Sequence, residues 1–189
     1  MIKIGIVGDI GSGKSYVAKV FGYPVFNADY EVSKLYKKDI KVFRKIKKAL
    51  PKFFSVFPVK KNEVSKAILS NPNNLIKIVK IVHLEVKKKM YFFLRKNKNV
   101  KIVILDIPLF LENKINKKND ILVFVESKKK DIFKRLKKRK NYNPRLLNKF
   151  RNIQLSLDYK KKKSQFIIKN DFTRQTIKKN VNNILSQIL

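Results

Sequence analysis

Residues 8–15 read Gly8-Asp9-Ile10-Gly11-Ser12-Gly13-Lys14-Ser15 and match the phosphate-loop pattern G-x-x-x-x-G-K-[ST] at every fixed position. A short β-rich run from Ile2 precedes them, and a helical pattern follows. A strand, a glycine loop and a helix in this order let backbone N–H groups and the positive helix end surround an anion. The stretch therefore predicts a nucleoside triphosphate site, with binding residues Gly8, Gly11, Ser12, Gly13, Lys14, Ser15 and Tyr16.

Two side chains of this loop carry the expected chemistry. Lys14 is placed to reach the β- and γ-phosphates, and the hydroxyl of Ser15 is a ligand for Mg²⁺. We therefore expect ATP as co-substrate and Mg²⁺ as cofactor.

Outside the loop, short apolar runs alternate with helical stretches. The continuous apolar runs at residues 102–105 and 121–125 are typical of strands covered on both faces, and residues 166–168 predict a last strand. This pattern predicts an α/β fold, a three-layer sandwich of the P-loop type with a mainly parallel central sheet. One domain is expected, with its core at about residues 1–29 and 98–189, a helical substrate-binding insertion at 30–97 and a lid at 135–150. A single long helix is predicted from the polar break near Pro144 to about Lys163.

The composition excludes several classes of protein. The 189 residues include no cysteine, so neither a disulfide scaffold nor a thiolate zinc site is available. No apolar run approaches the roughly 18 residues of a membrane span, and no secretory signal is recognisable. We therefore expect a cytoplasmic protein without a membrane partner.

The net charge of +34 allows two interpretations. Lysine runs recur along the whole chain, including Lys160–Lys163, and this scatter favours a solvated background that attracts anionic substrates over a dedicated surface for nucleic acid. No specific nucleic-acid partner is expected. An NTP-hydrolysing RNA-binding protein remains the alternative from a different class.

Few other residues are candidates for chemistry. Asp29 follows the second strand, where its carboxylate could take a proton from a hydroxyl acceptor or hold a metal-bound water; the alternative is an N-cap for a helix starting near Tyr30. Asp106 ends the third strand as either a Walker B acid or a loop-fixing residue. His83, between apolar neighbours, suits substrate contact or packing better than base catalysis. Three arginines flank the polar break after the fourth strand: Arg135, Arg139 and Arg145. They belong either to a mobile lid that contacts phosphate or to a solvated helix end.

Several segments together resemble one family. Phe26-Asn27-Ala28-Asp29 is similar to a D-A-D segment, Ile81-Val82-His83-Leu84 to I-x-H-P, and Asp106-Ile107-Pro108-Leu109-Phe110-Leu111-Glu112 to D-x-P-L-L-F-E. These motifs and their order resemble the dephospho-CoA kinase family over nearly the whole chain. The departures are Asp9 for a glycine, Asn27 for the first Asp of D-A-D, Leu84 for a proline, and Ser164-Gln165 for Ala-Asp.

The resemblance implies ATP-dependent phosphorylation of the ribose 3′-hydroxyl of dephospho-CoA, the last step of coenzyme A synthesis. It implies catalytic roles for Lys14, Asp29 and Arg139, and substrate contacts for Asp29, His83, Asp106 and Arg135. Both substrates, ATP and dephospho-CoA, are small polyanions. The alternative within the same class is another P-loop nucleoside or nucleoside monophosphate kinase.

Overall fold

A computed structural model describes residues 1–140 and 142–189, and within them five parallel strands form one sheet in the order β2-β3-β1-β4-β5. The strands are β1 (Ile2–Gly8), β2 (Val25–Asn27), β3 (Ile102–Asp106), β4 (Ile121–Glu126) and β5 (Phe166–Lys169). Every residue of β3 is buried, as expected for a strand covered on both faces. The predicted α/β fold with a parallel sheet is confirmed.

The helices of the described residues fall into two groups. The helices are α1 (Lys14–Val20), α2 (Ala28–Lys38), α3 (Ile40–Ala49), α4 (Lys61–Ser70), α5 (Pro72–Lys96), α6 (Lys129–Lys137), α7 (Pro144–Asn152), α8 (Leu157–Lys163) and α9 (Arg174–Ile188). A sheet unit contains Met1–Asn27, Asn97–Tyr142 and Gln154–Leu189, and a helical unit contains Ala28–Lys96 and Asn143–Ile153. Residue 141, inside the predicted lid, lies outside the described residues. None of the described helices combines the length and apolarity needed to cross a membrane.

Alternation along the central strands builds the core of the sheet unit. Ile4 and Ile6 of β1 pack in one cluster with buried residues of α1 and α9, such as Val17 and Ile177. Between them, Gly5 faces the other side of the sheet, where a Cβ would collide with the ring of Phe110. α8 also lies against β1 and β4. This packing fixes β1 in the middle of the sheet, and with it the start of the phosphate loop.

The single helix predicted between Pro144 and Lys163 is wrong. α7 ends at Asn152, and α8 begins only after Ser156, whose hydroxyl accepts a hydrogen bond from the N–H of Tyr159. No glycine or proline lies at this break, so the sequence pattern predicts a continuous helix across it. The two helices also belong to different units.

The interpretation of all lysine runs as solvated background is also wrong at one position. Lys160 is only 4% exposed, and its Nζ lies 2.8 Å from Oε1 of Glu112 and 2.9 Å from Oε1 of Gln154. Glu112 Oε1 further accepts a hydrogen bond from the N–H of Leu155. This buried ion pair attaches the segment after β3 to α8.

Candidate active site

The phosphate loop runs from the last residue of β1 to the second residue of α1, so that it joins a strand to a helix as the sequence predicts. Gly13 caps α1 with a left-handed backbone (φ 92°), and a Cβ at this position would collide with Nδ2 of Asn170. Because the first N–H groups of a helix have no intrahelical partner, the start of α1 presents donors to an anion. The loop thus has the backbone that phosphate binding requires.

Lys14 folds back across this loop. Its Nζ donates to the carbonyl oxygens of Gly8 at 3.2 Å and Asp9 at 2.7 Å. The carboxylate of Asp9, a departure from the family pattern, accepts the N–H of Ile10 at 2.7 Å. Two carbonyl oxygens of the loop are therefore among the acceptors that hold the ammonium group over it.

Two residues that the sequence analysis missed support the loop from neighbouring strands. The carbonyl oxygen of Ser12 accepts hydrogen bonds from Ser127 Oγ at 3.0 Å and from Asn170 Nδ2 at 2.7 Å. Ser127 directly follows β4 and Asn170 directly follows β5, so both stand at the carboxyl edge of the sheet. The sequence signal that could have identified both residues is a polar side chain immediately after a predicted strand. Oγ of Ser12 itself is buried without a hydrogen-bond partner in the described chain.

Asp106 and Asn27 meet at the same edge. They are paired in the register of β3 and β2, and Asn27 Nδ2 donates to Asp106 Oδ2 at 2.6 Å. Asp106 is 3% exposed and stands on the strand next to β1. Both interpretations of Asp106, as a Walker B acid and as a loop-fixing residue, are compatible with this position.

Of the three arginines proposed for a lid, Arg135 lies in the last turn of α6 and Arg139 lies just after the helix, and both are exposed in the sheet unit. The guanidinium of Arg135 stacks over the ring of Phe172 at 4.3 Å from its centroid. The N–H of Phe172 donates to Asn170 Oδ1, which links this stack to the residue that supports the phosphate loop. Arg139 follows the C-cap residue of α6, and Arg145 lies in α7 of the helical unit.

Asp29 and His83 belong to the helical unit. Asp29 is exposed and is the second residue of α2, so the alternative interpretation as the N-cap of a helix near Tyr30 is wrong. His83 lies in α5, and its Nε2 is buried without a hydrogen-bond partner among residues 1–140 and 142–189. Burial lowers the pKa of His83 from 6.5, and the positive charge of Lys87 lowers it further. The imidazole is therefore neutral near pH 7.

The oxygen donors of the site suit Mg²⁺. Ser15 is exposed in the first turn of α1, and Asp106 supplies a carboxylate at the same edge of the sheet. The described residues contain no cluster of three or more metal-binding side chains. Magnesium commonly takes most of its ligands from substrate phosphates and water and needs only one or two from the protein.

A phosphate loop after the central strand, and a carboxylate at the end of the adjacent strand, define this chain as a P-loop protein of the NTP-binding class. Two solved structures share the fold. A Thermus thermophilus protein aligns over 100% of this chain and 98% of its own chain, with a TM-score of 0.77 and 21% identity. The dephospho-CoA kinase of Campylobacter jejuni aligns over 98% of this chain and 96% of its own chain, with a TM-score of 0.63 and 17% identity. The family model for dephospho-CoA kinase matches residues 2–176. The dephospho-CoA kinase of Wolbachia pipientis is 33% identical over 98% of this chain and 97% of its own length. The chain belongs to the dephospho-CoA kinase family.

Proposed function

We propose that this chain transfers the γ-phosphoryl group of ATP to the ribose 3′-hydroxyl of dephospho-CoA, giving coenzyme A and ADP in the cytoplasm. The observation that carries the proposal is the family match, which extends over residues 2–176 and includes the complete phosphate loop. The loop accounts for the donor, and the family accounts for the acceptor, because a P-loop fold alone serves many acceptors.

The chain's own residues perform three tasks in this reaction. The phosphate loop holds the ATP phosphates through backbone N–H groups, and Lys14 neutralises charge on the transferring group. The acceptor oxygen forms a bond to the γ-phosphorus while the bond from that phosphorus to the β–γ bridging oxygen breaks and ADP leaves. The carboxylate of Asp29 takes the proton of the hydroxyl. In the sequence Asp29 follows the end of β2 by two residues, and this supports the assignment.

The remaining assignments concern charge and the acceptor. Arg139 would neutralise charge in the transition state, while Arg135, His83 and Asp106 would contact substrate. Ser15 would hold Mg²⁺, which supplies charge neutralisation on the phosphates when bound. Nε2 of His83 is buried without a hydrogen-bond partner among the residues that the structure describes, and this supports a ligand contact from the helical unit, because such a nitrogen is costly to bury until a partner binds.

An acceptor screen tests the proposal. ADP release is measured with dephospho-CoA, AMP, CMP and shikimate, and the product with dephospho-CoA is identified by mass. Turnover with dephospho-CoA alone is expected, and turnover only with another acceptor would refute the proposal. Lys14→Ala should abolish turnover, whereas Lys19→Ala, an exposed lysine later in the same helix, should leave it unchanged.

A further inference from the structure

Asn27 and Asp106 form a donor–acceptor pair in the sheet unit. The carbonyl oxygen of Pro24 accepts the N–H of Ile104, and this bond sets the register that places Asn27 opposite Asp106. Asn27 Nδ2 donates to Oδ2 at 2.6 Å, and this is the single hydrogen bond of the Asp106 carboxylate within the part of the chain that the structure describes. A buried carboxylate is strongly oriented by such a donor, because losing it would leave the charge without compensation.

The other carboxylate oxygen is the one that remains for a reactant. β3 lies between β2 and β1, and β1 continues directly into the phosphate loop. We propose that Asn27 is a positioning residue for phosphoryl transfer, and that its amide fixes the Asp106 carboxylate so that Oδ1 faces the reactants. This inference rests on the proposed function, since it assigns Asp106 to the same reaction.

The hydrogen bond to Asp106 requires an amide at position 27, because an ionised carboxylate there could not donate a hydrogen bond. Ionised Asp accepts hydrogen bonds only, so two carboxylates at this separation would repel each other unless they shared a proton. An amide donates one hydrogen bond and adds no charge. The departure from the D-A-D pattern at Asn27 therefore converts a pair of acceptors into a matched donor and acceptor.

The first variant is Asn27→Leu, which removes the donor at similar volume. We expect kcat for dephospho-CoA phosphorylation to fall roughly 10- to 100-fold, because a carboxylate that is no longer fixed loses its productive geometry. KM for ATP should change less than about twofold, because the phosphate loop is untouched. ADP binding and thermal unfolding verify the fold. The matched control is Asn180→Leu, which removes the hydrogen bond from Asn180 Nδ2 to the carbonyl oxygen of Thr176 in α9. Its kcat should be unchanged.

A second variant separates positioning from stability. The exchange Asn27→Asp with Asp106→Asn keeps one amide, one carboxylate and a hydrogen bond between them, but moves the charge to β2. We expect this protein to fold and bind ADP with kcat still reduced at least about 10-fold. It also decides the question if Asn27→Leu does not fold.

Two results would overturn the inference while leaving the proposed function intact. One is an Asn27→Leu enzyme whose kcat stays within about twofold of wild type. The other is an exchange variant with wild-type kcat, since it would show that the pair only stabilises the sheet. A wild-type chain that does not phosphorylate dephospho-CoA would overturn the proposed function and this inference together.

Discussion

Asp29 carries the proton-transfer step of the proposed reaction. Its side chain is exposed in the first turn of α2, so Asp29→Asn replaces the base without disturbing a core. We expect kcat to fall about 100-fold or more, the usual contribution of a general base, while KM for ATP changes little. Steady-state kinetics with dephospho-CoA check this. Glu31→Gln, in the same helical turn, is the control, and an Asp29→Asn enzyme with wild-type kcat would exclude the base role.

His83 gives a pH prediction for stability. It is the sole histidine of the sequence, and burial together with Lys87 lowers its pKa from 6.5 in the folded state. Below about pH 6.5 the unfolded chain therefore binds more protons than the folded one, and wild type loses stability as the pH falls. Relative to His83→Gln, the free energy of unfolding of wild type should decrease between about pH 7 and pH 5 and stay constant above that.

Urea unfolding of both proteins at each pH measures this difference. The titration of carboxylates is common to both chains and cancels in the comparison. A difference that is independent of pH would show that His83 takes up a proton equally well in the folded and unfolded states.

At the scale of elements, Lys160 of α8 should contribute far more to the free energy of unfolding than its neighbour Lys161. Lys160 and Glu112 are paired at 2.8 Å with side chains only 5% and 10% exposed, whereas the Lys161–Glu126 pair is 42% and 36% exposed. Lys160→Met leaves a buried carboxylate unpaired and should cost about 3–5 kcal/mol of unfolding free energy. Lys161→Met should cost at most about 1 kcal/mol, because water screens the exposed pair.

Adding Glu112→Leu to Lys160→Met should recover much of this loss, because it removes the unpaired charge. Chemical denaturation of the single and double variants provides the measurement. Equal costs for Lys160→Met and Lys161→Met would show that the Lys160 pair is hydrated like a surface pair.

The same elements show what the sequence could predict. The strands and the phosphate loop were predictable because their signals are local: apolar runs bounded by turns, and glycines followed by Lys14 and Ser15. The break between α7 and α8 and the burial of Lys160 were not, because both depend on packing against distant residues. The supports from Ser127 and Asn170 likewise arise only when the strand order brings three strand ends together. Asp106 was predicted as a candidate, but its donor Asn27 was recognisable only from the register of β2 and β3.

Over the whole molecule, 47 basic and 13 acidic residues create a net charge of +34. ATP and dephospho-CoA are both polyanions, so the long-range field of the chain should accelerate their encounter with the site. Steering of this kind depends on ionic strength, because the screening length falls from about 10 Å at 0.1 M salt to about 3 Å at 1 M. Charges in direct contact with a bound phosphate are screened much less.

We therefore expect kcat/KM for both substrates to fall about tenfold between roughly 0.05 and 0.5 M KCl, with kcat changed less than about threefold. Initial rates at subsaturating and saturating substrate separate the two parameters, and sucrose at matched viscosity controls for slower diffusion. The double variant Lys162→Glu/Lys163→Glu, at exposed positions of α8, should lower kcat/KM at low salt and reduce its salt dependence. If kcat/KM is instead independent of salt, the scattered lysines contribute no steering, and substrate capture depends on the residues in direct contact with the substrates.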